Sequence, residues 1–223
     1  GTRDPSALRR AALGVLRILV ERDLTLDLTE LCSWTAEQFH CLTVADPVTP
    51  VVDYILERFR ASYEDQGVPA EVFLAVQARR PTQPLDFHRR IMAVNNFVAL
   101  PEAGALASAN KRVSNILEKQ AGSVGDAARV DDSLLEKSAE RELWEAITAQ
   151  EDKVVPLFRD GEYDAGLRSL ARLQKTVDGF FDDVMVMTDD EALRNNRVAL
   201  LNRLRALFLQ VADISLLQTT QAA

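Results

Sequence analysis

Apolar residues recur at three- and four-residue spacing along nearly the whole chain, and no strand-like alternation or βαβ spacing interrupts them. Behind an N-cap at Asp4 and a proline at Pro5, the residues Leu8, Ala11, Ala12, Val15, Leu16 and Leu19 predict a helix to Arg22. A second pattern runs from Leu28 to about Leu42 through Leu31, Trp34 and Phe39. Asp46, Pro47 and Pro50 then mark a break and a restart. Val51, Val52, Ile55, Leu56, Phe59 and Tyr63 form the next stripe, which Gly67 and the Val68-Pro69 step end. A shorter helix from Pro69 to Arg79 leads to Pro81-Thr82-Gln83-Pro84, where two prolines in four residues predict a hinge or a corner and a subdomain boundary.

Beyond that corner, Leu85, Ile91, Val94, Phe97 and Val98 predict a helix stopping near Leu100-Pro101. Leu106, Ala109, Val113, Ile116 and Leu117 predict the next one. Residues 120–131, with two glycines and little apolar content, read as a mobile surface loop. Leu134 to about Ala149 is again amphipathic, and Pro156 either kinks its continuation or opens a new turn. One helix is expected from Tyr163 to Asp183, with Leu167, Leu170, Leu173, Val177 and Phe180 inward. After the β-prone run Val184 to Met187, Thr188 is the expected N-cap of a last long helix whose stripe is Leu193, Leu200, Leu201, Leu204, Leu207, Phe208 and Val211. Arg194, Arg197, Asn202, Arg203 and Arg205 take its remaining faces. Arg205, opposite the stripe, is expected to contribute little to stability. The fold class is all-α, a layered helical bundle.

Composition narrows the classes. The 223 residues can bury a sizeable core. Cys32 and Cys41 are nine apart without a CxxC spacing, and His40 and His88 are the only histidines, so both cysteines read as small buried apolar residues in a reducing compartment. No apolar run is long enough to span a membrane and no signal-peptide pattern opens the chain, so the expectation is a cytoplasmic protein with no membrane partner. The chain starts Gly-Thr without Met, directly on a helix signal, which fits a piece of a longer polypeptide.

The net charge of −8 opposes nucleic-acid binding at first sight, but its distribution does not. Residues 1–78 hold seven basic and twelve acidic side chains, and 79–119 hold seven and three. Residues 120–192 hold eight and eighteen, and 193–223 four and one. Two basic stretches thus flank a strongly acidic one, which suits a local RNA-facing patch on an acidic body and equally suits unevenly charged solvated faces.

Catalytic signals are absent. There is no Gly-rich phosphate loop, nucleophile elbow, HExxH or Cys/His metal set. The pairs Asp131-Asp132 and Asp182-Asp183 read as solvated or capping. The informative constellation is Ala109 to Lys119: with the apolar stripe inward, Ser108, Lys111, Arg112, Asn115 and Lys119 share the outer face. Cations and amides on one helix face suit phosphates and unstacked base edges, or form an ordinary solvated surface. Asn110, at the margin of the buried stripe, can be structural. Arg79-Arg80 and Arg89-Arg90 around the proline corner supplement that face, or else compensate a helix terminus and pair with neighbours. For Arg194 and Arg197 a salt bridge to Asp190 or Glu191 competes with a phosphate contact. Phe87, Phe97, Phe180 and Phe181 read as core, with base stacking as the alternative.

Several stretches together resemble the C-terminal region of the bacterial glycyl-tRNA synthetase β subunit. They are Phe180-Phe181-Asp182-Asp183-Val184-Met185-Val186-Met187, Asp190-Glu191-Ala192-Leu193-Arg194 and Val211-Ala212-Asp213-Ile214-Ser215-Leu216-Leu217-Gln218. Asp4-Pro5 with Ala7 to Arg17, Glu57-Arg58-Phe59-Arg60, Ala78-Arg79-Arg80-Pro81 and Ala109 to Leu117 agree in order. The resemblance implies body-domain helices over 1–80 and, over 81–223, a helical anticodon-binding domain of the arginyl-tRNA synthetase type. It further implies glycine tRNA and the synthetase α subunit as partners in an α2β2 assembly. Activation of glycine, with ATP and Mg, is assigned to the whole enzyme and its α subunit, so this part is expected to be non-catalytic and to hold no cofactor. The alternative is a helical assembly module joining the subunits, with RNA contacts elsewhere. Glycine codons begin GG, so an anticodon domain of this enzyme is expected to read two cytosines, whose amino donor is matched by an acid or a carbonyl.

Overall fold

The computed structural model describes residues 7–39, 44–119 and 129–217. The described residues form ten α-helices and two short 3-10 turns, with no strand among them. They form two compact units, residues 1–92 and 93–223.

In the first unit α1 (Leu8–Glu21) buries Ala12, Leu16 and Leu19. The expected cap at Asp4 and Pro5 lies outside the described residues. For α2 (Leu28–Ala36) the cap is Asp27, whose carboxylate accepts the N–H groups of Thr29 at 2.7 Å and Glu30 at 3.2 Å. The helix ends six residues earlier than its apolar pattern suggests, and Trp34 and Phe39 are 66% and 56% exposed rather than packed; Leu42 lies outside the described residues. Asp46 accepts the N–H groups of Val48 and Thr49 and opens α3 (Val48–Asp65). Pro50 falls in its first turn, where a missing N–H costs nothing. Gly67 turns the chain at φ 83°, a conformation open to glycine, before α4 (Ala70–Gln77).

The proline corner is anchored by side chains rather than left as a hinge. Thr82 donates its hydroxyl to Asp27 and accepts the Leu28 N–H. After it α5 (Pro84–Val98) begins at a proline. Phe59 contacts Tyr63 and Phe87, and Phe87 contacts Phe73, with ring centroids 5.3–5.6 Å apart. All four rings are core, Phe59 and Tyr63 as their stripe predicts and Phe87 as read above. Cys32 is only half-buried, short of the burial expected of it, and Cys41 lies outside the described residues.

At the edge of that cluster the Tyr63 hydroxyl lies 2.8 Å from His88 Nδ1. Burial, reinforced by the Arg89 charge and opposed by Asp23, holds the His88 imidazole below its ordinary value. A base with a lower pKa folded than unfolded takes up a proton on unfolding. Its contribution is therefore intact above the unfolded value of about 6.5 and is lost as pH falls through that value towards the folded one. Melting of the parent and of His88→Gln between about pH 7.5 and 5.5 checks this. The parent is expected to lose Tm more steeply on acidification, and parallel profiles would exclude His88 as the cause.

In the second unit α6 (Ala103–Lys119) buries Leu106, Ala109, Asn110 and Val113. Of the expected surface loop, residues 120–128 lie outside the described residues. The helix expected from Leu134 starts later: Asp131 caps a 3-10 turn (Asp132–Leu134), and α7 (Ser138–Arg159) then runs 22 residues straight through Pro156. Burial of Val154 and Phe158 on either side of the proline holds that turn in place despite the missing donor.

The helix expected from Tyr163 to Asp183 is two helices, α8 (Tyr163–Ala171) and α9 (Gln174–Asp183). Arg172 and Leu173 donate to Ser169 and Leu170, the tighter i→i+3 pattern, and both helices pack on α7. Gly166 lets α8 close on α7, since a Cβ there would stand 2.2 Å from the Phe158 ring.

The last helix, α10 (Glu191–Leu209), is capped by Asp190, which accepts the Leu193 N–H, and not by Thr188. Residues Asn196 to Leu201 are buried without interruption. α10 is therefore a central helix packed on several sides, where the sequence suggests a single buried stripe. Its buried polar residues, Asn196 and Arg197, tolerate this because both have partners. Asn196 exchanges two hydrogen bonds with the backbone of Asp131, at 2.7 and 3.0 Å. Arg205 donates to Ser114 Oγ at 2.9 Å and pairs with Asp213 at 3.1 Å, so it ties α10 to α6 and to the closing 3-10 turn (Ile214–Leu216). That overturns the expectation of a dispensable Arg205.

Candidate nucleic-acid interface

The outer face of α6 is set by its inner one. With Ala103, Leu106, Ala109, Asn110 and Val113 buried, the 100° step of the helix turns Ser108, Lys111, Arg112, Asn115 and Lys119 outward, and all five are exposed. Asn110 belongs to the inside: it is 2% exposed and donates to the Leu106 carbonyl at 3.0 Å. Along one edge of the outer face lies α9, where the Arg112 guanidinium carbon sits 4.2 Å from the Phe181 ring centroid. Along the other edge Ser114 meets Arg205. Lys111, Asn115 and Lys119 make no side-chain hydrogen bond or ion pair among the described residues. Three cations and two small polar groups thus share about three turns of one helix, an arrangement that can hold phosphates and polar base edges.

Within the second unit, Arg194 and Arg197 are held by partners of their own. Arg197 is buried; its Nε lies 2.5 Å from Glu140, its Nη1 donates to the Met185 carbonyl at 3.1 Å, and Glu136 is 3.8 Å away. It is a structural residue and leaves the set of surface contacts. Its partner is Glu140, 57 positions away, and neither Asp190 nor Glu191. Arg194 is half-buried and donates to the Thr188 carbonyl at 2.8 Å, which fixes the approach to its own helix.

Arg79, Arg80, Arg89 and Arg90 belong to the first unit. Arg80 pairs with Asp53 at 3.3 Å on the rim of a cavity of about 680 Å³. Glu57 and Arg58 also line that cavity, so two carboxylates balance two guanidiniums there. Arg89 stands 3.9 Å from Asp23, and Arg90 pairs with Asp86 at 2.7 Å. Arg79 is exposed. Of the four candidate stacking rings, Phe87, Phe97 and Phe180 are fully buried, and Phe181 is half-exposed. Its pairing with Arg112 was not legible in the chain, because no periodicity connects residues 69 positions apart.

No group of three or more His, Cys, Asp or Glu side chains able to hold a metal ion occurs among the described residues. No helix among them is long and apolar enough to cross a membrane. Asp131 spends its carboxylate on the N–H and hydroxyl of Ser133, and Asp182 and Asp183 are exposed at the end of α9.

An all-helical bundle presenting a basic, amide-bearing helix face is an arrangement open to a nucleic-acid-binding module. Family comparison agrees: residues 106–217 match the DALR anticodon binding domain, and residues 1–78 match the glycyl-tRNA synthetase beta subunit. The chain belongs to the glycyl-tRNA synthetase beta subunit family and carries its anticodon-binding domain. It is 60% identical over 220 residues to the glycine–tRNA ligase beta subunit of Marinobacter nauticus, covering 98% of this chain and 32% of that protein. The same subunit is 54% identical over 219 residues in Aeromonas salmonicida and 51% over 218 in Hahella chejuensis, again over 98% of this chain. The chain spans about a third of the length of the curated relatives it matches. Ser108, Lys111, Arg112, Asn115 and Lys119 fall inside the anticodon-domain match, whereas Arg79, Arg80, Arg89 and Arg90 lie between the two matches.

Proposed function

We propose that the chain is the tRNA-binding part of a glycine–tRNA ligase, with residues 81–223 engaging the anticodon region of glycine tRNA and residues 1–80 supplying helices of the body domain. The observation that carries this is the coincidence of the exposed cationic face of α6 with the anticodon-domain match. Lys111 and Lys119, exposed and without a side-chain partner among the described residues, hold phosphates of the loop. The amide of Asn115 and the hydroxyl of Ser108 are suited to polar edges of unstacked bases. ATP, Mg and glycine belong to the chemistry of the complete enzyme, in which an α subunit is the partner and the cytoplasm the site of action. This chain contributes by positioning the tRNA rather than by touching the reacting atoms.

Titration of the chain with glycine tRNA over a range of salt concentrations tests the reading. Lys111→Ala is expected to weaken binding and to reduce the magnitude of the log-affinity against log-salt slope by ~0.7, one phosphate contact on single-stranded RNA. Melting should stay at the parental temperature, because the side chain is exposed and has no partner among the described residues. An unchanged slope for both Lys111→Ala and Lys119→Ala would move the RNA surface elsewhere and favour a module that holds the two subunits together.

A further inference from the structure

We infer that Arg112 and Phe181 form a stacking platform for an unpaired nucleotide, so that Arg112 differs in kind from the phosphate-holding Lys111 one position earlier. The inference rests on the proposed RNA-binding role of the α6 face and says which element of it distinguishes a looped-out base from duplex.

The geometry is specific. The Phe181 ring meets fully buried Phe180 edge-on, with centroids 5.6 Å apart and planes at 77°, so its position is fixed by the core. The Arg112 guanidinium lies over that ring at 4.2 Å while Arg112 itself remains exposed. A guanidinium is flat, poorly hydrated on its faces, and carries its N–H donors around the rim. The ring holds the guanidinium in place, and because Arg112 is exposed, part of that group is still presented to solvent. Nucleobases stack on such planes whatever their identity, since every base has a π face, and the rim donors remain available to the neighbouring phosphate. Bases inside a duplex are already stacked on both faces and cannot use the platform. A lysine at this position would keep the charge but offer no plane.

Binding of the full 223-residue chain to a looped RNA hairpin and to a blunt duplex with the same number of phosphates separates the two kinds of contact. The parent is expected to prefer the hairpin. Arg112→Lys should lose roughly 5- to 150-fold in hairpin affinity, the range for one stacked base, while duplex binding and the salt slope stay as in the parent. Phe181→Leu should have the same effect, Phe181→Tyr should bind like the parent, and Lys111→Ala should weaken both RNAs alike and reduce the slope. Melting curves accompany each variant, and Arg112→Lys and Phe181→Tyr carry the test if Phe181→Leu is unstable. Should Lys111→Ala reduce the slope while Arg112→Lys keeps the parental hairpin preference, the platform is wrong and the RNA-binding face stands. Should neither substitution change RNA binding, the RNA-binding face falls and the platform with it.

Discussion

Leu204→Ala is expected to destabilise the second unit by ~2–5 kcal/mol, the usual cost of truncating a buried leucine when its surroundings relax only partly. Leu204 is fully buried at the centre of α10, among Leu200, Leu201, Leu207 and Phe208, which are equally inaccessible. α10 in turn packs on α6 and α7. Against a typical margin of ~5–15 kcal/mol the loss is large, and Tm should fall by on the order of 10 °C. Affinity for tRNA should decline only as far as the folded fraction does. Parental melting would mean that the helix is not packed as described. Parental stability with lost tRNA binding would turn the apolar residues of α10 into an interaction surface.

The second large effect is expected at the Arg197–Glu140 pair. Their side chains are 7% and 0% exposed, and Glu140 also accepts the Lys137 N–H at 2.7 Å, closing the start of α7. Removing one member strands the other charge in the interior, so Arg197→Met should cost ~3–5 kcal/mol in urea unfolding. Replacing both, as Arg197→Met with Glu140→Leu, should recover much of that loss, because two apolar side chains need no compensating charge; the lost cap keeps the recovery incomplete. A double variant no more stable than the single one would show that the pair contributes more than charge compensation. A single variant that melts normally but binds tRNA poorly would return Arg197 to the RNA surface.

Much of the helical layout was legible because burial of one face imposes a period on each segment. The stripes of Leu16 with Leu19, Val52 with Leu56 and Phe59, and Leu106 with Val113 are all inside. Local rules were least reliable where tertiary contacts could outweigh them. Pro156 did not end α7, because buried Val154 and Phe158 hold the helix through it. Conversely, Leu170 to Val177 reads as one uninterrupted stripe yet bends at Arg172, which allows α8 and α9 both to reach α7. At the start of α10, Thr188 and Asp190 are both competent caps by residue type. Asp190 takes the Leu193 N–H, while the Thr188 carbonyl receives Arg194.

Residue spacing by itself determined the outward set Ser108, Lys111, Arg112, Asn115 and Lys119, since an amphipathic helix with its apolar face buried leaves its other residues nowhere else to go. It likewise determined the all-helical class and, through the stretches shared with relatives, the family. Tertiary structure alone decided what each of these arginines meets. Nothing local distinguishes Arg112, Arg197 and Arg205, each a cation on a helix. Arg112 meets an aromatic ring 69 positions away, Arg197 a buried carboxylate 57 positions away, and Arg205 a serine 91 positions away. A charge takes its role from the partner within a few ångströms of it, and for these three that partner is brought up by chain folding rather than by sequence neighbourhood.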